Sequence, residues 1–295
     1  KNIELLTDFF DSIIKQFPNY EYNLYSHENI DLDFIYAIKA KYFIHDLGGY
    51  GALLKLCNLN YKEPLSRLFF TFAGGHQKYI ESSEKIFNNI KNTNLFDKQT
   101  YFKEDFLKND DNFWKKHEKF IKNNQRGYGL WLWKPYLIKK MFDRMNNGDI
   151  VFYLDSGCEL GNIDHIKKCL SIIKTDLIVG TEVLHERKEK HWTKKDLFIK
   201  LNLLDDKYTE TTQRQAGTNM FLINDTTRKL VNEWYELSCE YHNIDNNPSK
   251  NENFPGFKEH RHDQSIFSLL TKKYNIYSKT SLKPGIIINR KEIVI

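Results

Sequence analysis

Long hydrophobic runs are missing from this chain of 295 residues. Its mean hydropathy is −0.62, and no apolar stretch approaches the roughly 20 residues that a membrane-spanning helix needs. The best apolar runs, such as Ile150–Leu154 and Leu177–Val179, have the length of single strands. The sequence therefore predicts a protein without a membrane span.

Cysteines are few and scattered. They form no Cys-x-x-Cys pair and no Cys/His group with zinc spacing, and they lie at Cys57, Cys158, Cys169 and Cys239. Isolated cysteines in a chain of this size are typical of a reduced, intracellular compartment. We therefore expect a cytoplasmic protein that is not stabilised by disulfides.

A large excess of one charge is missing as well. Lys and Arg number 44 against 39 for Asp and Glu, which gives a net charge of +5. The basic residues are spread along the chain, whereas nucleic-acid binding needs a concentrated basic face. We therefore expect no nucleic-acid partner.

Apolar and aromatic side chains are plentiful. They make up 40% and 15% of the sequence, which excludes global disorder and allows a sizeable core. A linker rich in Asn, Lys and Pro covers residues 58–64, and a strand, a turn and a helix follow it. We therefore predict an N-terminal helical or αβ segment, residues 1–62, and an α/β domain, residues 63–295.

The second domain alternates short apolar runs with helical patterns. Mainly apolar runs, typical of strands inside a mostly parallel sheet, lie at 68–72, 150–154, 176–179 and 219–223. Helical spacing or helix-start signals occur at 79–90, 135–145, 163–173, 226–242 and 263–270. We predict helical pieces over 96–124 and a polar excursion over 185–214. Ligands of such sheets bind beyond the carboxyl ends of the strands.

Asp155 ends the most apolar of these strands and is followed at once by Ser156 and Gly157. A carboxylate on such a turn suits Mg²⁺ or Mn²⁺ bound to a diphosphate, which needs one or two carboxylates plus phosphate oxygens. The alternative is that Asp155 only caps the turn, as Asp-Ser-Gly sequences commonly do.

Arg126 and Lys134 flank a loop that contains two glycines and two tryptophans and leads into a helix. Cationic side chains at a helix entry suit phosphate binding. Trp131 and Trp133 either stack on a base or sugar or belong to the core.

Asp263 opens the last long helix, directly after His262. Its carboxylate is a candidate catalytic group, and His262 is a candidate metal or phosphate ligand. Asp263 also has the position of a first-turn acid favoured by the helix dipole. A run of small residues before a further strand, Gln215, Ala216 and Gly217, would let a substrate lie against the backbone.

The ordered set of motifs resembles the GT-A class of nucleotide-sugar-dependent glycosyltransferases, in particular a poorly characterised microbial and viral branch. The resemblance covers about residues 66–290, and its motifs are AGG, GYGLWLWKPY, DIVFYLDSGCE, QAGTN and RHDQS. It implies a Rossmann-like sheet and a hexosyltransferase of glycan biosynthesis that uses a nucleotide-sugar donor, with UDP the commonest nucleotide of the class.

The resemblance also implies roles for individual residues. Asp263 would be the catalytic carboxylate, and Asp155 would bind a divalent metal, Mn²⁺ or Mg²⁺, with Glu159 and His262 as further candidate ligands. The class usually has Asp-x-Asp where this chain has Asp155-Ser156-Gly157, so the second carboxylate is missing. The expected nucleotide-sugar contacts are Phe72, Ala73, Gly74, Gly75, Arg126, Trp133, Lys134, Tyr153, Asp155, Gln215, Ala216 and Gly217.

Residues 33–51 are similar to the tail of a different, Rossmann-like glycosyltransferase type, which implies that residues 1–62 are the tail of an upstream transferase domain. Two other functions remain open. One is a non-catalytic carbohydrate-binding or scaffold module on the same fold, and the other is a sugar nucleotidylyltransferase. For a transferase, the acceptor would be a glycan, a protein or a small molecule.

Overall fold

The computed structural model describes residues 65–183 and 187–288. The predicted N-terminal segment, residues 1–62, and its boundary with the α/β domain lie outside the described residues and stay predictions.

Strands of the described residues form one sheet of six and one small sheet of two, in the orders β2-β1-β3-β6-β5-β7 and β4-β8. In the larger sheet only β6 runs antiparallel to its neighbours, β3 and β5, while the remaining pairs are parallel. The strands are β1 Arg67–Ala73, β2 Lys98–Lys103, β3 Ile150–Leu154, β4 Cys158–Leu160, β5 Ile178–Glu182, β6 Arg214–Leu222, β7 Tyr277–Ser281 and β8 Ile286–Ile288.

Helices flank the sheet and connect its strands. They are α1 Gln77–Lys91, α2 Glu104–Lys108, α3 Asp111–Asn123, α4 Trp133–Asp143, α5 Ile163–Asp176, α6 Glu189–Trp192, α7 Lys195–Leu201, α8 Asp206–Thr209, α9 Asp225–Cys239 and α10 Asp263–Tyr274. The mixed, mostly parallel α/β sheet predicted from the sequence is confirmed.

The sheet has a hydrophobic core on each face. Alternate residues of a strand point to opposite faces, and in β3 the side chains of Val151 and Tyr153 enter one core while Phe152 and Leu154 enter the other. The first core includes side chains of α4, α9 and α10, and the second includes side chains of α1 and α5. Burial on both faces explains why β3 is apolar throughout.

Two segments differ from the sequence prediction. Residues 98–103, predicted within a helical region, form β2, which pairs in parallel with β1 at the edge of the sheet. Its sequence KQTYFK carries exposed and half-buried side chains, so it lacks the apolar signal of an inner strand. Gln215, Ala216 and Gly217 lie inside β6 rather than before it.

The polar segment predicted as an excursion folds into the short helices α6, α7 and α8. Leu197 and Phe198 of α7 are buried in the first core. Glu189 of α6 is fully buried and its Oε1 lies 2.6 Å from Nζ of Lys272 in α10. Polar residues thus anchor this segment through a buried ion pair, which a hydrophobicity pattern does not reveal.

No helix within the described ranges is both long enough and apolar enough to cross a membrane.

Asp149 ties the starts of β1 and β3 together. Its buried carboxylate accepts hydrogen bonds from the backbone N–H of Ser66 at 2.8 Å and of Asn146 at 2.9 Å. We expect Asp149→Ala to lower the free energy of unfolding by about 1–3 kcal/mol, because both donors lose their acceptor. Urea unfolding measures this. The matched control Asp143→Ala, at a half-exposed helix position, should change it by less than about 0.5 kcal/mol; equal effects would contradict this role.

Candidate active site

Three charged side chains meet where the carboxyl end of β3 faces the first turns of α4 and α10. Nζ of Lys134 lies 3.1 Å from Oδ1 of Asp155 and 3.2 Å from Oδ2 of Asp263. Lys134 and Asp263 are almost fully buried, whereas the side chain of Asp155 is 39% exposed. We call these three residues the central cluster.

Lys134 lies in the first turn of α4, which begins with Trp133, Lys134 and Pro135. Proline is tolerated there because the N–H groups of a first helical turn have no partner inside the helix. The ammonium group is 3% exposed. Burial lowers the pKa of Lys134, but the two carboxylates more than offset this, so that its pKa is raised and the side chain stays cationic.

Asp155 is held by β6 and by its own strand. Its backbone N–H donates to the carbonyl of Gly217 at 2.7 Å, and the Tyr153 hydroxyl donates to Oδ1 at 2.6 Å. A Cβ atom at Gly217 would lie 2.0 Å from Oδ2 of Asp155. Only glycine leaves room for this carboxylate at that position of β6.

Asp263 is the first residue of α10, and its carbonyl accepts a hydrogen bond from Nε1 of Trp234 at 3.1 Å. Burial, with a contribution from Asp155, raises the pKa of Asp263 to about 6, although Lys134 acts in the opposite direction. No donor in the described ranges makes a well-directed hydrogen bond to its buried Oδ2, which has only the ion-pair contact to Lys134.

The central cluster therefore combines one fixed cation with two unlike carboxylates. Asp155 is half-exposed and reachable from solvent, while Asp263 is buried, titrates near neutral pH and has an acceptor oxygen without a directed donor. Such a group suits proton transfer to or from a bound hydroxyl.

Aromatic rings form a wall beside the end of β1. The ring centroids of Phe72 and Trp133 lie 4.1 Å apart, and those of Phe72 and Tyr128 lie 6.0 Å apart. Phe72 and Trp133 are nearly fully buried, so they support the wall as core side chains. Tyr128 and Gly74 are half-buried, and a Cβ at Gly74 would meet the rings of Phe72 and Tyr128 at 2.8 and 3.1 Å.

The loop before α4 is a left-handed turn, residues 127–131. All five residues have positive φ angles, between 52° at Tyr128 and 87° at Gly129. Hydrogen bonds from the N–H of Leu130 to the carbonyl of Arg126 and from Trp131 to Gly127 close it, at 2.9 and 3.1 Å. Non-glycine residues rarely adopt this conformation, and such strain clusters at functional sites.

Three further predicted nucleotide-sugar contacts, Ala73, Gly75 and Arg126, lie in different surroundings. The N–H of Gly75 donates to Oε1 of Glu104 at 2.6 Å, and Ala73 is buried in β1. Arg126 is exposed, and its guanidinium carbon lies 5.8 Å from the centroid of Trp131. The Trp131 ring in turn lies 5.5 Å from that of His262, so Arg126 stands on the side of the site that leads to Asp263.

The predicted ligands Glu159 and His262 each have one protein contact, and Nε2 of His262 has no hydrogen-bond partner in the described ranges. Glu159 pairs with Lys85 of α1 at 2.7 Å. His262 is buried, and its Nδ1 contacts the carbonyl of Ile244 at 2.7 Å; burial, together with the charges of Arg126 and Arg261, lowers its pKa to about 4. In the described part of the chain no three His, Cys, Asp or Glu side chains form a metal-binding group.

Gln215 and Ala216 are buried in β6 next to Gly217. Nε2 of Gln215 donates to the carbonyl of Glu182 at 3.1 Å, across the pair of strands β5 and β6. These two residues belong to the buried part of β6 that positions Gly217.

Sequence reasoning missed Tyr128, Glu104 and Trp234. Tyr128 stands inside the glycine-rich motif, which was a usable signal. Glu104 and Trp234 are brought to the site by the packing of distant segments and contact it through hydrogen bonds to Gly75 and Asp263. Nothing in their sequence neighbourhood indicates these contacts.

No protein-family model matches the chain, and no curated protein matches it either. Among solved structures, the chain is similar to the crystal structure of mouse xyloside xylosyltransferase 1 in its apo form. The TM-score is 0.39 and the identity 12%, over 74% of this chain and 85% of that chain. Values this low carry no argument about activity, so the evidence for the function has to come from the side chains of this chain.

The pKa of Asp263 predicts a pH dependence of stability. The pKa of Asp263 is about 6 in the folded chain and 3.8 in its usual range. As the pH rises, the unfolded chain therefore releases the proton of this carboxyl group before the folded chain does. Stability is therefore lost between about pH 4 and pH 6, by roughly 3 kcal/mol for that difference. We expect Asp263→Asn to lack this loss in urea unfolding measured from pH 4 to 7.

The difference in unfolding free energy between wild type and Asp263→Asn is the diagnostic quantity, because groups common to both proteins cancel. A difference that stays constant over this pH range would contradict the raised pKa.

Proposed function

We propose that this chain is a glycosyltransferase that moves a sugar from a nucleotide-diphosphate donor, with a UDP-sugar the first choice, to an acceptor hydroxyl. The observation that carries the proposal is the convergence of Asp155 and Asp263 on buried Lys134 at the carboxyl edge of the sheet. That edge is where open α/β sheets bind ligands, and the ordered motifs resemble the GT-A class.

Asp263 is the proposed general base. Its Oδ2 is buried and lies 3.2 Å from Nζ of Lys134, and an acceptor hydroxyl would have to reach this oxygen for Asp263 to act as the base. With a pKa of about 6, Asp263 is mostly ionised at neutral pH and still basic enough to accept the hydroxyl proton as the new glycosidic bond forms.

Lys134 is the proposed electrostatic partner of the leaving group. Negative charge develops on the diphosphate as the bond between sugar and phosphate oxygen breaks, and a fixed cation in a water-poor site stabilises that charge strongly. The ammonium group is already held in place by Asp155 and Asp263, so it needs no rearrangement. The nucleotide base would lie against Tyr128 and the Gly74–Gly75 turn, of which Gly75 is exposed.

A divalent metal is part of the proposal, with Asp155 as its main anchor. Oδ1 of Asp155 is engaged by Tyr153 and Lys134, but the side chain is 39% exposed, so the carboxylate fits a metal contact completed by phosphate oxygens. Glu159 is paired with Lys85, whereas Nε2 of His262 has no hydrogen-bond partner in the described ranges while Nδ1 contacts the carbonyl of Ile244, so His262 stays the candidate second ligand. When bound, Mn²⁺ or Mg²⁺ would supply Lewis-acid stabilisation of the leaving diphosphate.

Release of UDP in the presence of an acceptor separates this proposal from a non-catalytic carbohydrate-binding module, which would bind without turnover. The nucleotidylyltransferase alternative needs a long basic loop after the first strand. That turn is short here, and the Gly75 N–H is already bonded to Glu104.

Asp263→Asn should separate binding from turnover. We expect the variant to keep the thermal stabilisation by UDP-sugar, because the donor contacts remain, and to lose a factor of about 10²–10⁴ in turnover, as for removal of a general base. A thermal-shift screen of UDP-, GDP-, dTDP- and CMP-sugars selects the donor, and nucleotide release measures turnover.

The control is Asp205→Asn, at a side chain that is 72% exposed, which should match wild type. Equal loss of donor stabilisation and turnover in Asp263→Asn would contradict the role as base and indicate a structural role.

Asp155→Ala tests the metal anchor. We expect wild type to be stabilised by Mn²⁺ with UDP but little by Mn²⁺ alone, since a single carboxylate binds metal weakly without phosphates. Asp155→Ala should lose the Mn²⁺-dependent part of the thermal shift, which at a hundredfold excess over the dissociation constant is worth about 2.7 kcal/mol. Glu159→Gln is the matched control and should keep it; loss in Glu159→Gln alone would contradict the assignment to Asp155.

A further inference from the structure

A cleft of about 510 Å³ lies in the long loop between α9 and α10, apart from the central cluster. Its volume is within the range of small-molecule sites. We call it the loop cleft, and it is lined by Lys194, Phe257 and His260 together with most of the residues from Asn246 to Glu259.

The loop cleft is built on buried polar contacts although its walls contain neither helix nor strand. Nζ of buried Lys194 lies 2.7 Å from Oδ1 of Asp245, and Nε2 of buried His260 lies 2.7 Å from the carbonyl of Asn243. Asp196 accepts hydrogen bonds from the N–H groups of Lys250 and Asn251 at 2.7 and 3.0 Å. The loop is therefore fixed at both ends and in the middle.

Four asparagines belong to the lining. Asn251 and Asn253 each use one end of the amide for the protein: Nδ2 of Asn251 donates to Asp196 and Oδ1 of Asn253 accepts from the N–H of Lys195. Asn246 is exposed and makes no hydrogen bond to the described residues. Amides both donate and accept, as hydroxyl-rich ligands require.

An aromatic side chain completes this chemistry. Phe257 is half-buried and its ring contacts no other ring in the described ranges, unlike neighbouring Phe254, which packs on Phe198. A ring beside several amides matches the apolar face and the hydroxyl edge of a sugar.

The charges of the loop cleft nearly cancel. Lys194 is neutralised by Asp245 and Glu259 is paired with Arg261 at 2.7 Å. The remaining charged lining residues are Lys250, Lys258 and Glu252, and no arginine belongs to the lining. This balance disfavours a diphosphate or sulfated ligand, which would call for bidentate arginine contacts, and favours a neutral one.

The loop cleft is close to the proposed base. His260 lines it and stands three residues before Asp263, and three residues span at most about 11 Å. A short segment, residues 260–263, thus connects the loop cleft to the central cluster.

We infer that the loop cleft binds a neutral, hydroxyl-rich carbohydrate through its asparagine amides and the Phe257 ring. Its role as the acceptor subsite rests on the proposed glycosyl transfer. The cleft would then select the acceptor, while the end of β1 and the central cluster hold the donor.

The test uses the whole chain and neutral trisaccharides built of glucose, galactose, mannose, xylose or N-acetylglucosamine as probes. We expect at least one trisaccharide to bind saturably in isothermal titration calorimetry. The double variant Asn246→Ala/Phe257→Ala should weaken that binding at least tenfold and leave the thermal shift with UDP-sugar and Mn²⁺ unchanged. Both side chains lie outside the core, and Asn88→Ala, at an exposed position of α1, is the matched control.

The absence of binding by every trisaccharide, or equal binding by wild type and the double variant, would overturn the inference. Binding only of sulfated or phosphorylated sugars would overturn it too. Trisaccharide binding that depends on the cleft, without stabilisation or turnover of any nucleotide sugar, would support the carbohydrate site and refute the proposed transfer. Donor turnover without trisaccharide binding that depends on the cleft would support the proposed transfer and refute the carbohydrate site.

Discussion

The buried ammonium group of Lys134 between two carboxylates is the interaction on which the site depends. It joins the end of β3, the start of α4 and the start of α10, which are far apart in the sequence. Each carboxylate alone would be a poor group to hold near apolar rings, and the lysine alone would be worse, because an unpaired buried charge is costly. Together they fix where the sheet edge can hold a charged ligand.

A second buried ion pair also joins segments that are far apart in the sequence. Glu189 and Lys272 attach the segment of short helices to α10, and the loop before α10 is attached by Lys194 and Asp245. The helix that carries Asp263 is thus held by polar contacts at its start and along its length. Removing one partner of such a buried pair is strongly destabilising, because it leaves the other charge buried and uncompensated.

The sequence was sufficient for the inner strands of the sheet, and it predicted the three residues of the candidate site. The apolar run Ile150–Leu154, followed by Asp155, predicts an inner strand and its carboxyl end. Helix-start signals in the neighbouring residues predict the helices in whose first turns Lys134 and Asp263 lie. It was not sufficient for contacts made by packing. That Lys134 bridges the two aspartates, and that Lys85 engages Glu159, depends on how helices lie on the sheet, and β2 lacked the apolar pattern of an inner strand.

The left-handed turn at residues 127–131 has a consequence for how the site can move. The carbonyl of Gly127 accepts the hydrogen bond of the Trp133 indole at 2.9 Å, while Trp131 lies against His262, directly before Asp263. The left-handed conformation costs about 1–2 kcal/mol for each of the non-glycine residues Tyr128, Leu130 and Trp131. The turn therefore depends on its contacts with Trp133 and with His262 to keep this conformation. The turn therefore connects the aromatic wall with the start of α10 through one unfavourable backbone conformation.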